Sequence, residues 1–131
     1  MEPMKKFLSS LYLGDRFCEK VTFENHKISF QMNCISRLKE GTKKWNYHCK
    51  QDIEHGCLVF DGVVGFSFSS GLFFNDEIYG IEVISNINGI YTFVVYGCNV
   101  SDDATSTDIQ LHIKAKEFYL FDPKNDEMIT K

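Results

Sequence analysis

No stretch of this 131-residue sequence approaches the roughly 20 consecutive apolar residues of a membrane-spanning helix, so no helical span is expected. The N-terminal segment, Met1 to Lys6 followed by Phe7 to Leu13, imitates a signal peptide. Two serines interrupt its apolar stretch, and Gly14-Asp15-Arg16 follows where a small-residue cleavage site would stand. Five cysteines (Cys18, Cys34, Cys49, Cys57, Cys98) make an odd count without framework spacing. Free thiols in a reducing compartment are the expectation, and the chain is read as cytoplasmic.

Other absences leave no enzyme indicated, without excluding one. There is no P-loop, no Gly-x-Gly-x-x-Gly, no Gly-x-Ser-x-Gly elbow and no Cys–His signature. No catalytic residue is assigned and no cofactor is expected. Internal repeats, low-complexity segments and linkers are missing too, so residues 1–131 are read as one domain. The least usual absence is of positive charge: residues 51–113 contain no Lys or Arg but nine Asp or Glu. Residues 1–50 hold ten basic side chains against five acidic, and residues 114–131 hold four of each. Folding either brings the two populations together, cancelling them, or leaves an acidic face that attracts a basic partner.

What is present belongs to an ordinary globular domain: 44% hydrophobic, 24% charged and 15% aromatic, with 12 Phe. The net charge of −4 argues against nucleic-acid and anionic-membrane binding. Phe7, Leu8, Leu11 and Tyr12 recur at helical spacing, predicting a helix over residues 3–13 that Gly14 ends in the left-handed conformation. From Cys18 the period becomes two. Ile28, Phe30, Met32 and Cys34 alternate with polar residues, and Cys18 to Phe23 is their hairpin partner through Glu24-Asn25-His26-Lys27. Residues 37–56 are polar and loop-like, with Asp52 to Gly56 as a single helical turn. Leu58 to Phe68 is a strand region broken at Asp61-Gly62 by a hairpin or a bulge.

The sharpest local signal is Asn88-Gly89, which favours a type I′ hairpin turn. In its register Ile87 faces Ile90, Ser85 faces Thr92, Val83 faces Val94 and Ile81 faces Tyr96. Tyr79, Ile81 and Val83 then share a face with Val94, Tyr96 and Cys98, opposite Ile84 and Phe93. Strand 90–98 is apolar on both sides and therefore central. Ile109, Leu111, Ile113 and Ala115 alternate as a half-buried strand, and Phe118 to Phe121 ends at Asp122-Pro123. The fold class is mainly β: an antiparallel β-sandwich or partly open barrel of seven or eight strands over 18–121, with one N-terminal helix and a charged tail over 122–131.

Three constellations carry possible chemistry. His48, Cys49, His55 and Cys57 cluster soft metal ligands, although without Cys-x-x-Cys or His-x-x-x-His spacing; the alternative is a buried thiol beside solvated histidines. Lys43-Lys44-Trp45-Asn46-Tyr47-His48 interleaves cations with aromatics, as a single-strand nucleic-acid surface or as a loop with Trp45 folded back. Trp45 and Tyr47 also suit anchors of a protein interface. Among carboxylates, Asp52, Glu54, Asp76 and Glu77 are the partner-facing candidates, and Glu82 is either a sheet-edge charge or a buried acid.

Leu13-Gly14-Asp15-Arg16-Phe17-Cys18, Asn33-Cys34-Ile35-Ser36-Arg37, Trp45-Asn46-Tyr47, Asp52-Ile53-Glu54-His55-Gly56 and Asn75-Asp76-Glu77-Ile78-Tyr79 together resemble a family of small, uncharacterised bacterial proteins. That resemblance implies no activity. In size, element order and acidity the chain also resembles bacterial toxin-immunity proteins, which implies an inhibitor of a basic toxin or enzyme. The expected function is a non-catalytic protein-binding β-domain with a basic partner. The alternatives are a small-ligand-binding barrel lined by Phe side chains and a zinc-binding domain.

Overall fold

The computed structural model describes residues 1–14, 16–38, 49–69 and 74–130, and the backbone alone of 38 and 49–51. A helix, α1 (Glu2–Ser9), precedes the strands β1 (Leu11–Tyr12), β2 (Cys18–Glu24), β3 (Lys27–Met32), β4 (Cys34–Leu38), β5 (Cys49–Glu54) and β6 (Cys57–Asp61). There follow β7 (Gly65–Phe68), β8 (Ile78–Ile87), β9 (Ile90–Val100), β10 (Ser106–Ala115), β11 (Glu117–Asp122) and β12 (Glu127–Ile129). They form three antiparallel sheets, ordered β1-β4-β5, β7-β10-β9-β8 and β12-β11-β6-β3-β2. Among the described residues no sheet closes into a barrel, and the arrangement is sandwich-like. No described helix is long and apolar enough to cross a membrane.

The core lies between the four- and five-stranded sheets. Ile109, Leu111, Ile113, Phe93 and Val95 come from one side, and Ile28, Phe30, Leu58, Phe60, Phe118 and Leu120 from the other. Alternate residues of a strand share a face, so these are the apolar halves of period-two runs. Phe60 sits 5.1 Å from Phe93 and 4.9 Å from Phe118 between ring centroids. The Phe side chains thus fill the interior edge to face. Helix α1 buries Phe7 and Leu8 at one end of this core, with Phe7 5.7 Å from Phe118.

The two hairpins that sequence defines best form as expected. Asn25 and His26 take positive φ in the β2–β3 turn, and Asn88 and Gly89 do so at φ 54° and 81° between β8 and β9. Strand β9 is central, with Phe93, Val94 and Val95 all buried. The β8–β9 register follows the expected pairing only as far as Ser85↔Thr92; thereafter Val83 faces Phe93 and Ile81 faces Val95. The cause is a bulge at Ile84, with a second at Tyr79. An extra residue reverses the pleat, so Ile81 and Val83 turn inward while the exposed Tyr79 stays on the other face of the sheet, that of the buried Cys98.

Three other expectations are corrected. The helix ends at Ser9, not residue 13, because Ser10 returns both its N–H (3.1 Å) and its hydroxyl (2.6 Å) to the Phe7 carbonyl. Leu11 and Tyr12 then pair with Arg37 and Ser36, and Gly14 caps nothing. Residues 37–56 are not all loop, and Asp52 lies in β5 rather than in a helical turn: Ile35 faces Ile53 in β4–β5, both buried. One inward apolar residue per strand is too thin a pattern to distinguish from a polar connection. Asp61-Gly62 is neither hairpin nor bulge but the crossover between the large sheets. Gly62 has φ +66°, Val63 N–H bonds His26 O on one sheet and Val64 N–H bonds Lys114 O on the other, each at 2.8 Å. Finally, the charged tail folds back onto the sheet over residues 122–129. The buried Asp122 carboxylate accepts Lys124 N–H (3.0 Å) and the Asn125 side-chain amide (2.8 Å), folding the chain back so that β12 pairs with β11.

Candidate functional site

Carboxylates gather where β8 begins, β9 ends and β10 begins. Cys98 pairs across from Asp108, and Cys98 N–H bonds the Glu77 carbonyl at 2.9 Å. The Asn75 side chain grips Val100 twice, accepting its N–H (2.8 Å) and donating to its carbonyl (2.9 Å), which draws residues 75–77 alongside the end of β9. Asp102 and Asp103 occupy the β9–β10 loop between them. Asp76, Glu77, Asp102, Asp103 and Asp108 therefore share one end of the four-stranded sheet.

These groups are not equivalent. Asp76 is half-buried and accepts the Cys98 thiol at 3.8 Å. Tyr79 is 48% exposed and donates its hydroxyl to Asp108 Oδ1 at 3.4 Å. Its phenol is held well above the ordinary range, first by its hydrogen bond with Cys98, then by desolvation and the Asp108 charge. Tyr79 thus remains a neutral donor. Asp103 accepts the Ser101 hydroxyl and the Thr105 N–H, and these bonds lower its pKa to about 2. That carboxylate is a fixed negative charge at neutral pH.

Phe17, 46% exposed, lies against this end. It bridges Glu77 on one side, while its N–H and C=O both bond Asn33 on the other, at 2.9 and 3.0 Å. Asn33 precedes Cys34, which faces Glu54. Phe17 therefore links the Asp76–Glu77 pair to the strand bearing Glu54. The adjacent Arg16 reaches Ser36 Oγ at 2.8 Å, and Ser36 in turn donates to Asp52 at 2.8 Å. Asp52 and Glu54 are both exposed, and Asp52 is engaged in that relay.

Trp45, Tyr47 and His48 lie outside the described residues, as does the side chain of Cys49. Of the soft-ligand cluster, His55 turns its Nδ1 to Glu19 at 2.7 Å, and Cys57 is half-buried with its thiol pushed up by burial. Among the described residues no group of three or more His, Cys, Asp or Glu is placed to hold a metal ion. Glu82 is exposed on the edge strand β8, which makes it a sheet-edge charge rather than a buried acid. Phe17, Tyr79, Asp102, Asp103 and Asp108 escape sequence reasoning as site residues. The one available signal was the Asn-Gly hairpin, which sets Tyr79 on the same side as Cys98.

Fold and surface together define an antiparallel β-protein with an acidic, aromatic-bearing end. Residues 1–131 match a family of unknown function (DUF6258), and the chain belongs to that family. No curated protein and no solved structure matches it.

Proposed function

We propose that this is a non-catalytic, cytoplasmic protein-binding β-domain whose acidic end engages a basic surface on another protein, as an immunity-type inhibitor engages a basic toxin or enzyme. The observation that carries the reading is the gathering of Asp76, Glu77, Asp102, Asp103 and Asp108 beside the bared rings of Phe17 and Tyr79. Carboxylates fixed by the sheet end and by hydrogen bonds in its loops steer a cationic partner with little reorganisation on contact. Aromatic side chains at their margin supply the area that dominates interface energies. Cys18, Cys34, Cys57 and Cys98 are free thiols, which supports a reducing compartment.

The test is capture of a partner on the immobilised protein at low salt. Binding is expected to fall as salt rises, because exposed charges separated by more than about 10 Å are screened at 0.1 M. An Asp102→Lys/Asp108→Lys variant is expected to lose the partner. Equal retention by that variant, insensitive to salt, would sink the reading.

A further inference from the structure

Strand β2 forms one edge of the five-stranded sheet, and its main chain is free along the outer side. Through β3 and Asn33, odd-numbered residues aim their polar groups at β2 and even-numbered ones at β6: Asn33 N–H bonds Phe17 O, and Met32 N–H bonds Gly56 O. Lys20, Thr22 and Glu24 pair with Gln31, Ser29 and Lys27, so they direct their amides and carbonyls to β3. Those of Val21 and Phe23 face outward, without a partner among the described residues. The open stretch runs from the bulge at Glu19 to the Asn25-His26 turn. Such a row of unpaired groups is a template for another strand.

The side chains along this stretch divide by face. Val21 and Phe23 lie opposite the buried Phe30 and Ile28 and turn toward the sandwich interior. Phe23 is nevertheless 50% exposed, and Phe66 of β7, on which it packs at 5.2 Å, is 44% exposed. The seam between the two large sheets is therefore apolar and open beside this edge. Lys20, Thr22 and Glu24 emerge on the outer face. Their neighbours on β3 are engaged elsewhere, Gln31 donating to Glu19 at 3.1 Å and Lys27 lying 3.8 Å from Asp61. The other edges of the large sheets are poorer templates: bulges break β8, and β7 and β12 have four and three residues.

We propose that this edge pairs with the same edge of a second copy, antiparallel about a two-fold axis through Thr22, which joins the two five-stranded sheets into one. The outward groups of Val21 and Phe23 must meet one another, so the axis passes through a residue rather than between two. An axis through Lys20 or Glu24 sets like charges face to face. One through Val21 brings Glu24 against Cys18, whose N–H is held by Asp76 O at 2.8 Å. One through Phe23 opposes Val21 to Asn25, which has left the strand for the turn. With the axis at Thr22, Lys20 of each copy faces Glu24 of the other, and Val21 of each exchanges both hydrogen bonds with Phe23 of the other. The join also covers the exposed Phe23 ring. Confined to residues 20–24, it is small beside the roughly 1,200 Å² of a stable interface, so the dimer forms reversibly at high concentration.

The test is sedimentation of the full chain across a concentration series, with the charges of the join exchanged. A mass rising from 15.2 kDa toward twice that value is expected at millimolar concentration, together with slowed hydrogen exchange at the Val21 and Phe23 amides. Lys20→Glu and Glu24→Lys each put like charges in the join, and each is expected to weaken dimerisation about tenfold or more. Mixed in equal amounts, the two variants set opposite charges against each other at both positions and are expected to dimerise as the unmodified chain does. Both side chains are exposed, so each variant should melt near the unmodified chain. A chain that stays monomeric, dimerisation unchanged in either variant, or no recovery on mixing would each overturn the proposal. So would association that leaves the Val21 and Phe23 amides unprotected.

Discussion

His55 Nδ1 lies 2.7 Å from Glu19 Oε1, tying the β5–β6 turn to the bulged start of strand β2. The contact raises the pKa of His55, and the same contact, helped by Gln31, lowers that of Glu19. The signs define a window. A raised imidazole contributes stability below its ordinary value and loses it as pH rises through the raised one. A lowered carboxylate contributes above its ordinary value and loses it as pH falls through the lowered one. The pair is therefore fully engaged between roughly pH 4.3 and 6.5. Glu19→Gln should lower the melting temperature more at about pH 5.5 than at about pH 8.5, within that logic. Equal deficits at both values would refute it. The effect is expected to be small, since both groups face solvent.

Gly97 and Gly80 make a contrasting pair on adjacent strands. A Cβ at Gly97 would meet the Glu77 carbonyl and the Phe74 ring, each at 2.6 Å, whereas at Gly80 it would meet nothing within 4 Å. Backbone cannot give way as a flexible side chain can. Gly97→Ala should cost about 1–3 kcal/mol in chemical denaturation. Gly80→Ala should be neutral or gain up to about 1 kcal/mol, because alanine loses less backbone entropy on folding. Similar effects at the two positions would contradict the close approach of residues 74–77 to β9.

Cys18 is buried, and its thiol, which donates to the Lys20 carbonyl at 3.6 Å, is pushed up to about 11 chiefly by desolvation. The thiolate is the reactive species, so alkylation of the folded protein should be on the order of a hundredfold slower than of the unfolded chain. Mass-spectrometric mapping after timed iodoacetamide treatment measures this directly. Labelling of Cys18 at the unfolded rate would show that β2 opens readily.

The large sheets were legible because their strands write period two in strong apolar residues. Ile109, Leu111, Ile113 and Ala115 are all buried and the residues between them are exposed. The small sheet was not, since β4 and β5 lean on Ile35 and Ile53 and otherwise on the Arg16–Ser36–Asp52 relay. Polar pairing of that kind has no sequence signature. Bulges were equally silent: nothing in Tyr79 or Ile84 announces that it stands unpaired. The acidic character of the middle segment was plain, but its focus was not. Asp102, Asp103 and Asp108 join Asp76 and Glu77 only through the ladder of β8, β9 and β10. Phe17 joins them through a single bridge from a distant stretch of chain.

Phe60 is the keystone of the aromatic core, fully buried and within 6.0 Å, centroid to centroid, of Phe30, Phe93 and Phe118. Phe60→Ala should cost about 3–5 kcal/mol, because three rings on two sheets cannot collapse into one cavity. Phe23→Ala, on a half-exposed ring, should cost well under that in the same denaturation series. Comparable losses would mean that the sheets do not meet at Phe60.

Asn75 offers the most direct connection between local structure and the proposed binding surface. Its side chain supplies both hydrogen bonds that the Val100 backbone would otherwise draw from a neighbouring strand, and it does so on the exposed face. Water can replace those partners, so Asn75→Ala should cost only about 1 kcal/mol of global stability. Its local consequence should be larger. The Val100 amide should exchange with solvent faster, and residues 75–77 should loosen from β9. Since that contact joins the Cys98 and Phe17 bonds in holding Asp76 and Glu77, partner binding should weaken in part without any carboxylate having been removed. Hydrogen exchange and the salt-dependent capture assay, applied to the same variant, separate the outcomes. Faster exchange with undiminished capture would place the partner elsewhere on the molecule, and unchanged exchange would show that the clamp does not hold residues 75–77 in place.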